Sequence, residues 1–403
     1  MEFRIERTAF AEAVGWAARA LPSRTPVPVL GGLLLAAGAG RLTVSGFDFE
    51  AAARIDVDAE TASAGQVLVP GRRLLDICRV LPDGPVSCAL SGTRFTVEAD
   101  GTEFGMSTLP REEYPALPSQ PSAYGSVDAA AFATAVGQVA VAAGRDETLP
   151  VLTGVQLRLD GDSMTLSASD RYRYAVRRVG WKPESDATAS DGAVDALVPA
   201  RRLLDAARSL ARCGVVRVGL DRAAGGGLAG FEGGGMRSVV RLLDGRLPKY
   251  GSLFDMAGAA VAEVECGALT EAVRRVAVVA EASSPVRMDF SGDGCVLLRA
   301  GFGDDVATQR LPAVLSGAQE VTVAFNPAYL LDALNSFEAP RLRMELLGAG
   351  QRTLLSAVAG EDGSKDGSED GSEVGSGDGS GDGGAEAGSA SHRHLLMSVK
   401  QLV

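Results

Sequence analysis

The sequence predicts an α+β protein made of three copies of one unit, and three observations carry that prediction. The stretch VLVPGRRLLDICRVLP at 67–82 returns as ALVPARRLLDAARSLA at 196–211 and as VTVAFNPAYLLDALNSFE at 321–338. Aligned on Leu-Leu-Asp, the copies reach Asp76, Asp205 and Asp332, spaced by 129 and 127 residues. Each copy runs a hydrophobic strand through a proline into a helix start, at one domain's spacing. The second observation is a helical stripe at i, i+3, i+4, i+7, i+8, i+11: Phe10, Ala13, Val14, Ala17, Ala18, Leu21. It recurs as Phe132, Ala135, Val136, Val139, Ala140, Ala143 and as Leu269, Ala272, Val273, Val276, Ala277, Ala280. Stripes so rich in alanine let a helix lie close against a sheet. The third observation is a pair of strands after each helix, with Gly32 to Asp48 and Gly154 to Asp170 both 16 residues apart.

In chain order, the first unit opens on a strand at Glu2–Ile5, followed by a helix from about Thr8 to Leu21. Asp128 is the expected N-cap of the corresponding helix in the second unit. Gly-Ala-Gly at 38–40, Asp-Gly-Asp at 160–162 and Gly-Asp-Gly at 292–294 carry hairpin-turn chemistry. Hairpins are expected to close the units, at 95–110 and through a glycine-rich turn between Leu220 and Met236. Pro115, Pro118 and Pro121 mark the first boundary, and the stretch 248–260 the second. The expected domains are 1–120, 127–250 and 259–403, the last carrying an insert at 360–391. Within it, 361–384 is six Asp/Gly/Ser-rich tetrapeptides, which cannot bury apolar surface and are expected to be an unfolded, solvated loop. Neither the calcium loop spacing of an EF-hand nor the apolar position of a calcium β-roll is present there.

Composition narrows the function. No apolar run approaches the roughly 18 residues of a membrane span, and the charged start MEFRIERTAF does not suit a signal peptide. A cytoplasmic protein is expected. The net charge of −12 is concentrated: residues 361–386 hold nine acidic side chains against one lysine. The whole-chain charge therefore says little about any one face. The five cysteines are scattered and never form CxxC, which argues against disulfides and zinc. The two histidines, His392 and His394, lie beside the C-terminus, so histidine-based catalysis is not expected elsewhere. No phosphate-loop motif is present. The close carboxylates Asp56/Asp58 and Asp304/Asp305 suit solvated strands or turns better than a metal-dependent hydrolase. A non-catalytic binding protein without cofactor or metal is the reading.

The polar faces of the repeated helices suggest the ligand. Leu74, Leu75, Cys78 and Leu81 form the inner set of the first, with Arg72, Asp76 and Arg79 opposite. The second has Leu203, Leu204, Ala207 and Leu210 inside, with Arg201, Asp205, Arg208 and Arg212 outside. Arg73 and Arg202 join the basic set. The third copy lacks these arginines, and Arg274 and Arg275 on the preceding helix take their place. A basic face without aromatic ladders or base-reading motifs suits sequence-independent contact with phosphates.

The motifs PVLGGLLL, STLP followed by EYP, ASDRYRYAV, LLDGRLPKY, FNPAYLLDAL and LLMSVK together resemble the bacterial DNA polymerase III beta subunit family, the sliding clamps. The resemblance covers the chain apart from the insert. It implies three DNA-clamp domains, each with two helices on antiparallel sheet, and a head-to-tail homodimeric ring lined by helices. A domain of about 125 residues is roughly 35 Å across, about one turn of duplex, which exposes on the order of 20 phosphates. Arg24 matches a DNA-touching position of the family. The resemblance further implies a processivity factor that slides on double-stranded DNA, is opened by a clamp-loader ATPase, and tethers the DNA polymerase III catalytic subunit and other replication and repair proteins. Their short apolar peptides would dock on Leu152, Ser169, Arg171, Tyr172, Arg173, Tyr174, Pro248, Leu253, Asn326, Tyr329, Met397, Ser398 and Val399. The dimer would pair Phe104 and Met106 of one chain with Ala277 and Val278 of the other. Ser398, where the family usually has proline, and Gly251, where arginine is common, also admit an alternative: a second, specialised clamp with altered partner or inhibitor specificity.

Overall fold

All three copies of the repeated motif fold as strand into helix: Gly65–Pro70 into α2 (Gly71–Val80), Val194–Pro199 into α4 (Ala200–Leu210), and Glu320–Phe325 into α6 (Pro327–Asn335). The alanine stripes fold as α1 (Arg7–Ala17), α3 (Ala129–Ala140) and α5 (Cys266–Val276). The structure is a computed structural model describing residues 1–22, 24, 27–184, 193–221, 226–249, 251–280, 284–358 and 392–400. The acidic tetrapeptides at 361–384 lie outside the described residues. Helices pack in the pairs α1/α2, α3/α4 and α5/α6, and α1, α3 and α5 lie on strands of their own repeats.

The chain divides into two compact units. Unit 1 comprises residues 1–170 and 178–248, and unit 2 comprises 171–177 and 249–403. In unit 1, a five-stranded antiparallel sheet ends on the strand Thr102–Ser107. A nine-stranded sheet joins the first two repeats, because Ala51–Asp58 pairs antiparallel with Met236–Arg241. The strands Val194–Pro199, Gly154–Asp160 and Ser163–Ser169 complete the second repeat. In unit 2, residues 173–177 pair with His392–Met397. The order then continues through Arg352–Ala357, Arg341–Leu346, Ala260–Glu265, Asp305–Ser316, Cys295–Phe302, Val286–Ser291 and Glu320–Phe325.

Local chemistry explains the boundaries. The first helix stops at Ala17 and tightens into a 3-10 turn at Ala18–Ala20, short of the expected Leu21. Leu21 precedes Pro22 and is extended (φ −70°, ψ 134°), as a residue before proline must be. Asp128 caps α3 by accepting from the Ala131 N–H at 2.8 Å, worth about 1 kcal/mol. The stretch expected to be a single glycine-rich turn between Leu220 and Met236 instead contains a strand, Leu228–Gly233. Its glycines serve close approach: a Cβ on Gly230 would lie 2.8 Å from Pro121 Cδ. Composition read those glycines as turn residues, while the buried Ala229 and Phe231 hold them in the sheet.

The alanine stripes bring main chains together. At Gly46, on the strand Arg41–Phe47, an added Cβ would sit 2.4 Å from the Ala17 carbonyl oxygen at the end of α1. Backbone cannot yield there as a flexible side chain could. Gly46→Ala is expected to destabilise the first repeat by about 1–3 kcal/mol, seen as a lowered thermal unfolding midpoint; an unchanged midpoint would contradict the close packing.

Candidate functional site: basic helix faces and an arginine–tyrosine cluster

The exposed sides of the helices are basic. Arg72, Arg73, Arg79, Arg201, Arg208, Arg212, Arg274 and Arg275 are all exposed, as is Arg24, while Leu74, Cys78, Leu203, Ala207 and Leu210 are buried behind them. Some of these arginines hold light local contacts. Arg79 pairs with Asp76 at 2.9 Å, Arg274 with Glu271 at 2.6 Å, and Arg72 donates to the Pro22 carbonyl at 2.8 Å. Arg202 differs from the rest. It is half-buried and forms an ion pair with the buried carboxylate of Asp48, and it also donates to the Arg19 carbonyl at 3.3 Å. Its charge is committed inside unit 1.

The second assembly lies in unit 2. The Arg173 side chain is 4% exposed and pairs with Asp332 at 2.7 Å. Its guanidinium lies 4.4 Å from the Tyr329 ring centroid, and Tyr329 stacks on Tyr172 at 6.2 Å. A buried cation needs such a partner, since desolvation alone costs several kcal/mol. Asn326 starts α6 by accepting from the Ala328 and Tyr329 N–H groups, with Pro327 in the first turn, and so fixes Tyr329 at the helix entrance.

The terminal strand closes the cluster. Met397 N–H donates to the Tyr172 carbonyl and Val399 N–H to the Ala324 carbonyl, both at 2.8 Å. Ser398 is buried: its hydroxyl lies 2.9 Å from the Gly348 carbonyl and 2.8 Å from that of Gln351, and it accepts from the Gln351 N–H at 3.0 Å. Ser398 therefore anchors a turn, while Met397 and Val399 stay about one-third exposed.

Tyr174 departs from the expected set. Strand alternation turns it away from Arg173, and it is buried edge-on against Phe254 in a satellite core with partly buried Leu253. Arg171 is exposed with a left-handed backbone (φ 81°). In unit 1, Leu152 is half-buried, Ser169 is buried at a strand end and Pro248 is exposed. Asp332, which sequence reading used only to align the repeats, joins the cluster.

The expected contact residues also need a correction. Met106 is only 2% exposed, enclosed beside Phe95, so it cannot offer a contact surface; Phe104 is half-buried. Val278 is 83% exposed, and Phe302, absent from the expected set, is 89% exposed. An aromatic residue between two glycines in a charged turn was the available signal.

Among the described residues, no group of three or more His, Cys, Asp or Glu is placed to hold a metal ion. For Asp56, burial opposes charge, but the Thr43 hydrogen bond and the nearby Arg54 and Arg237 outweigh it and hold its carboxyl below the usual range. That is structural chemistry.

Basic helix faces over a repeated core, with an aromatic cluster in unit 2, define a binding protein built from repeats. Models of the DNA polymerase III beta subunit match its N-terminal domain at residues 1–118, its central domain at 126–249 and its C-terminal domain at 252–366. The beta sliding clamp of Streptomyces coelicolor is 49% identical over 358 residues, covering 88% of this chain and 94% of that one. The beta sliding clamp homolog GriR of Streptomyces muensis is 41% identical, covering 90% and 95%. The fold is also that of the Pseudomonas aeruginosa clamp solved with griselimycin, with a TM-score of 0.84 at 21% identity and full coverage of both chains. The chain belongs to the DNA polymerase III beta subunit family, the beta sliding clamps, and is a processivity factor of DNA replication.

The histidines beside the cluster make it sensitive to acid. His392 sits on Phe337 and contacts Ser336 and the Val176 carbonyl; burial chiefly, against the help of that carbonyl and with Arg177 adding, lowers its pKa to about 4. His394 is fully buried beside it, and burial pushes its pKa well down too. Both are neutral when folded, so the unfolded chain binds more protons below its ordinary histidine pKa. Stability is complete above about pH 6.5 and falls toward pH 4, with His392 alone contributing roughly 3 kcal/mol of loss. Chemical denaturation at stepped pH should show this slope, reduced in His392→Asn; an equal slope in both would refute it.

Proposed function

We propose that the chain forms a homodimeric ring around duplex DNA, slides along it, and tethers the polymerase III catalytic subunit and other replication and repair proteins through an apolar peptide groove. The observation that carries this is the repeated arginine face on α2 and α4, exposed over buried leucines in two copies of one motif. Such a face grips phosphates without reading bases. The clamp domains are taken as 1–120, 127–250 and 259–403. A closed ring holds DNA topologically, so weak contacts suffice. No nucleotide-binding motif occurs in the sequence, and opening is assigned to a separate clamp-loader ATPase.

Two strand edges support the dimer. Thr102–Ser107 is outermost in its sheet. Residues 305–312 pair with 295–302 on one side, while among the described residues pairing on the other side begins only at Ala313, opposite Val264. Unpaired edges are templates for another strand. Phe104 lies on the first edge; Val306 lies on the second, and Phe302 across the hairpin turn from it. The 3-10 turn Ala277–Val279 packs against these strands and presents Val278. Head-to-tail pairing of the two edges would bury the apolar residues.

The peptide groove is assigned to the Tyr172–Arg173–Tyr329 cluster of unit 2 with Arg171, Leu253, Met397 and Val399.

Loaded protein is expected to stay on circular plasmid in high salt and to run off after linearisation; equal salt-sensitive release from both forms sinks the ring. Phe302→Glu with Val306→Glu should shift the sedimentation mass from dimer to monomer and abolish that retention. Alanine at Arg72, Arg201 and Arg208 should flatten the salt dependence of equilibrium binding to linear duplex by roughly one slope unit per arginine; an unchanged slope removes the DNA-facing assignment.

A further inference from the structure

We propose that Arg352 is a positioning residue of the peptide groove: one guanidinium nitrogen holds the main-chain carbonyls of Ser252 and Leu253, and so fixes the turn that carries Leu253 to the strand pair that carries Met397. This rests on the groove reading above and names the side chain that joins two of its apolar walls.

The terminal strands place Arg352. It opens the strand Arg352–Ala357 and stands directly opposite Met397, the last residue of His392–Met397. Residues opposite each other in a ladder share one face of the sheet, with Cβ atoms about 5 Å apart. Two residues along each strand, on that same face, Leu354 lies opposite Leu395. Both are buried, in a satellite core with Tyr174, Val176 and Met256. The 3-10 turn Gly251–Phe254 packs on this core through partly buried Leu253 and Phe254.

Two arginines on that face hold the turn. Arg352 Nη1 donates to the Ser252 carbonyl and to the Leu253 carbonyl, each at 2.9 Å. The last carbonyls of a helical turn find no donor inside it, and a charged donor makes the stronger bond. Phe254 is held by its ring: the Arg393 guanidinium lies 5.0 Å from its centroid, and Tyr174 meets it edge-on at 6.0 Å. The turn opens on Gly251, the residue type with the most backbone freedom to lose on ordering. Pinning the carbonyls removes that freedom before a ligand arrives, so a peptide side chain that packs on Leu253 meets a surface already formed. Sequence reading passes over Arg352 because its acceptors are 100 and 99 residues away.

The test uses the full-length protein and a fluorescein-labelled peptide carrying the clamp-contacting segment of a polymerase III catalytic subunit, with affinity read by fluorescence anisotropy. Arg352→Gln is expected to weaken peptide binding roughly 5- to 15-fold, with sedimentation mass and retention on circular DNA unchanged. In a Leu253→Ala background the same substitution should add no further loss, because Arg352 acts through the placing of that side chain. Binding by Arg352→Gln within twofold of wild type overturns the proposal, as does an undiminished loss in the Leu253→Ala background. If Arg352→Gln fails to assemble, Arg352→Lys decides, since its ammonium keeps the charge but ends one bond short of the guanidinium nitrogen. A loss there that vanishes with Leu253→Ala supports the proposal, and wild-type affinity overturns it. Leu253→Ala binding as wild type removes Leu253 from the groove, and the positioning role falls while the rest of the groove stands. A wild-type chain that binds no peptide fails the groove reading itself, and the positioning role falls with it.

Discussion

The structure depends on how closely an alanine-rich helix can lie against a sheet. Where α1 ends, its main-chain carbonyl meets the strand at Gly46 with no room for a methyl group. The equivalent stripes of α3 and α5 are buried through Phe132, Ala135, Val136 and through Leu269, Ala272, Val273. Each such helix then carries a second one beside it, and that pair can cover only one face of sheet. The second helix keeps its outer side in water. A repeat that satisfies its core in this way presents a charged helix face as a by-product, and the charges on that face can vary without disturbing the core.

One helix position shows how far that freedom extends. Three residues before the motif aspartate stand Arg73, Arg202 and Tyr329. Arg73 is exposed and suits a phosphate. Arg202 turns to the buried Asp48 and ties the second repeat to the first, alongside the main-chain pairing of Ala51–Asp58 with Met236–Arg241. Tyr329 becomes an aromatic platform under Arg173. The backbone position is the same in each case. Its neighbours decide whether the side chain stays in water, ties two repeats together or stacks against a guanidinium.

That divergence marks what was legible in the sequence. The three units, the six helices and the hairpins at 38–40, 160–162 and 292–294 follow from period and turn chemistry, which are local properties. Asp128 as a cap was readable for the same reason. Met106 was misread because strand alternation puts it and Phe104 on one face, and only tertiary packing beside Phe95 distinguishes the enclosed residue from the half-buried one. Arg202 was grouped with the exposed arginines because Asp48 lies 154 residues away. Asp332 was passed over for the same reason, its partner Arg173 being 159 residues distant. Side-chain pairs between remote segments leave no periodic trace, so the site was less legible than the fold that carries it.

The strength of these pairs also bears on sliding. Arg79–Asp76 and Arg274–Glu271 are exposed contacts within one helix turn, and such pairs contribute at most about 0.5 kcal/mol. A guanidinium held so lightly can exchange its carboxylate for a passing phosphate, and back again, at almost no free-energy difference. On the proposed DNA-facing role of this helix face, no single phosphate would be gripped firmly enough to arrest movement. Arg202 and Arg173 are the opposite case, because in each pair one side chain, Asp48 or Arg173, is buried. Breaking either pair leaves a poorly solvated charge, at a cost of about 3–5 kcal/mol. Burial therefore divides these described pairs into two kinds: exposed ones held lightly, as the proposed contact with a moving polyanion requires, and buried ones that fix local geometry.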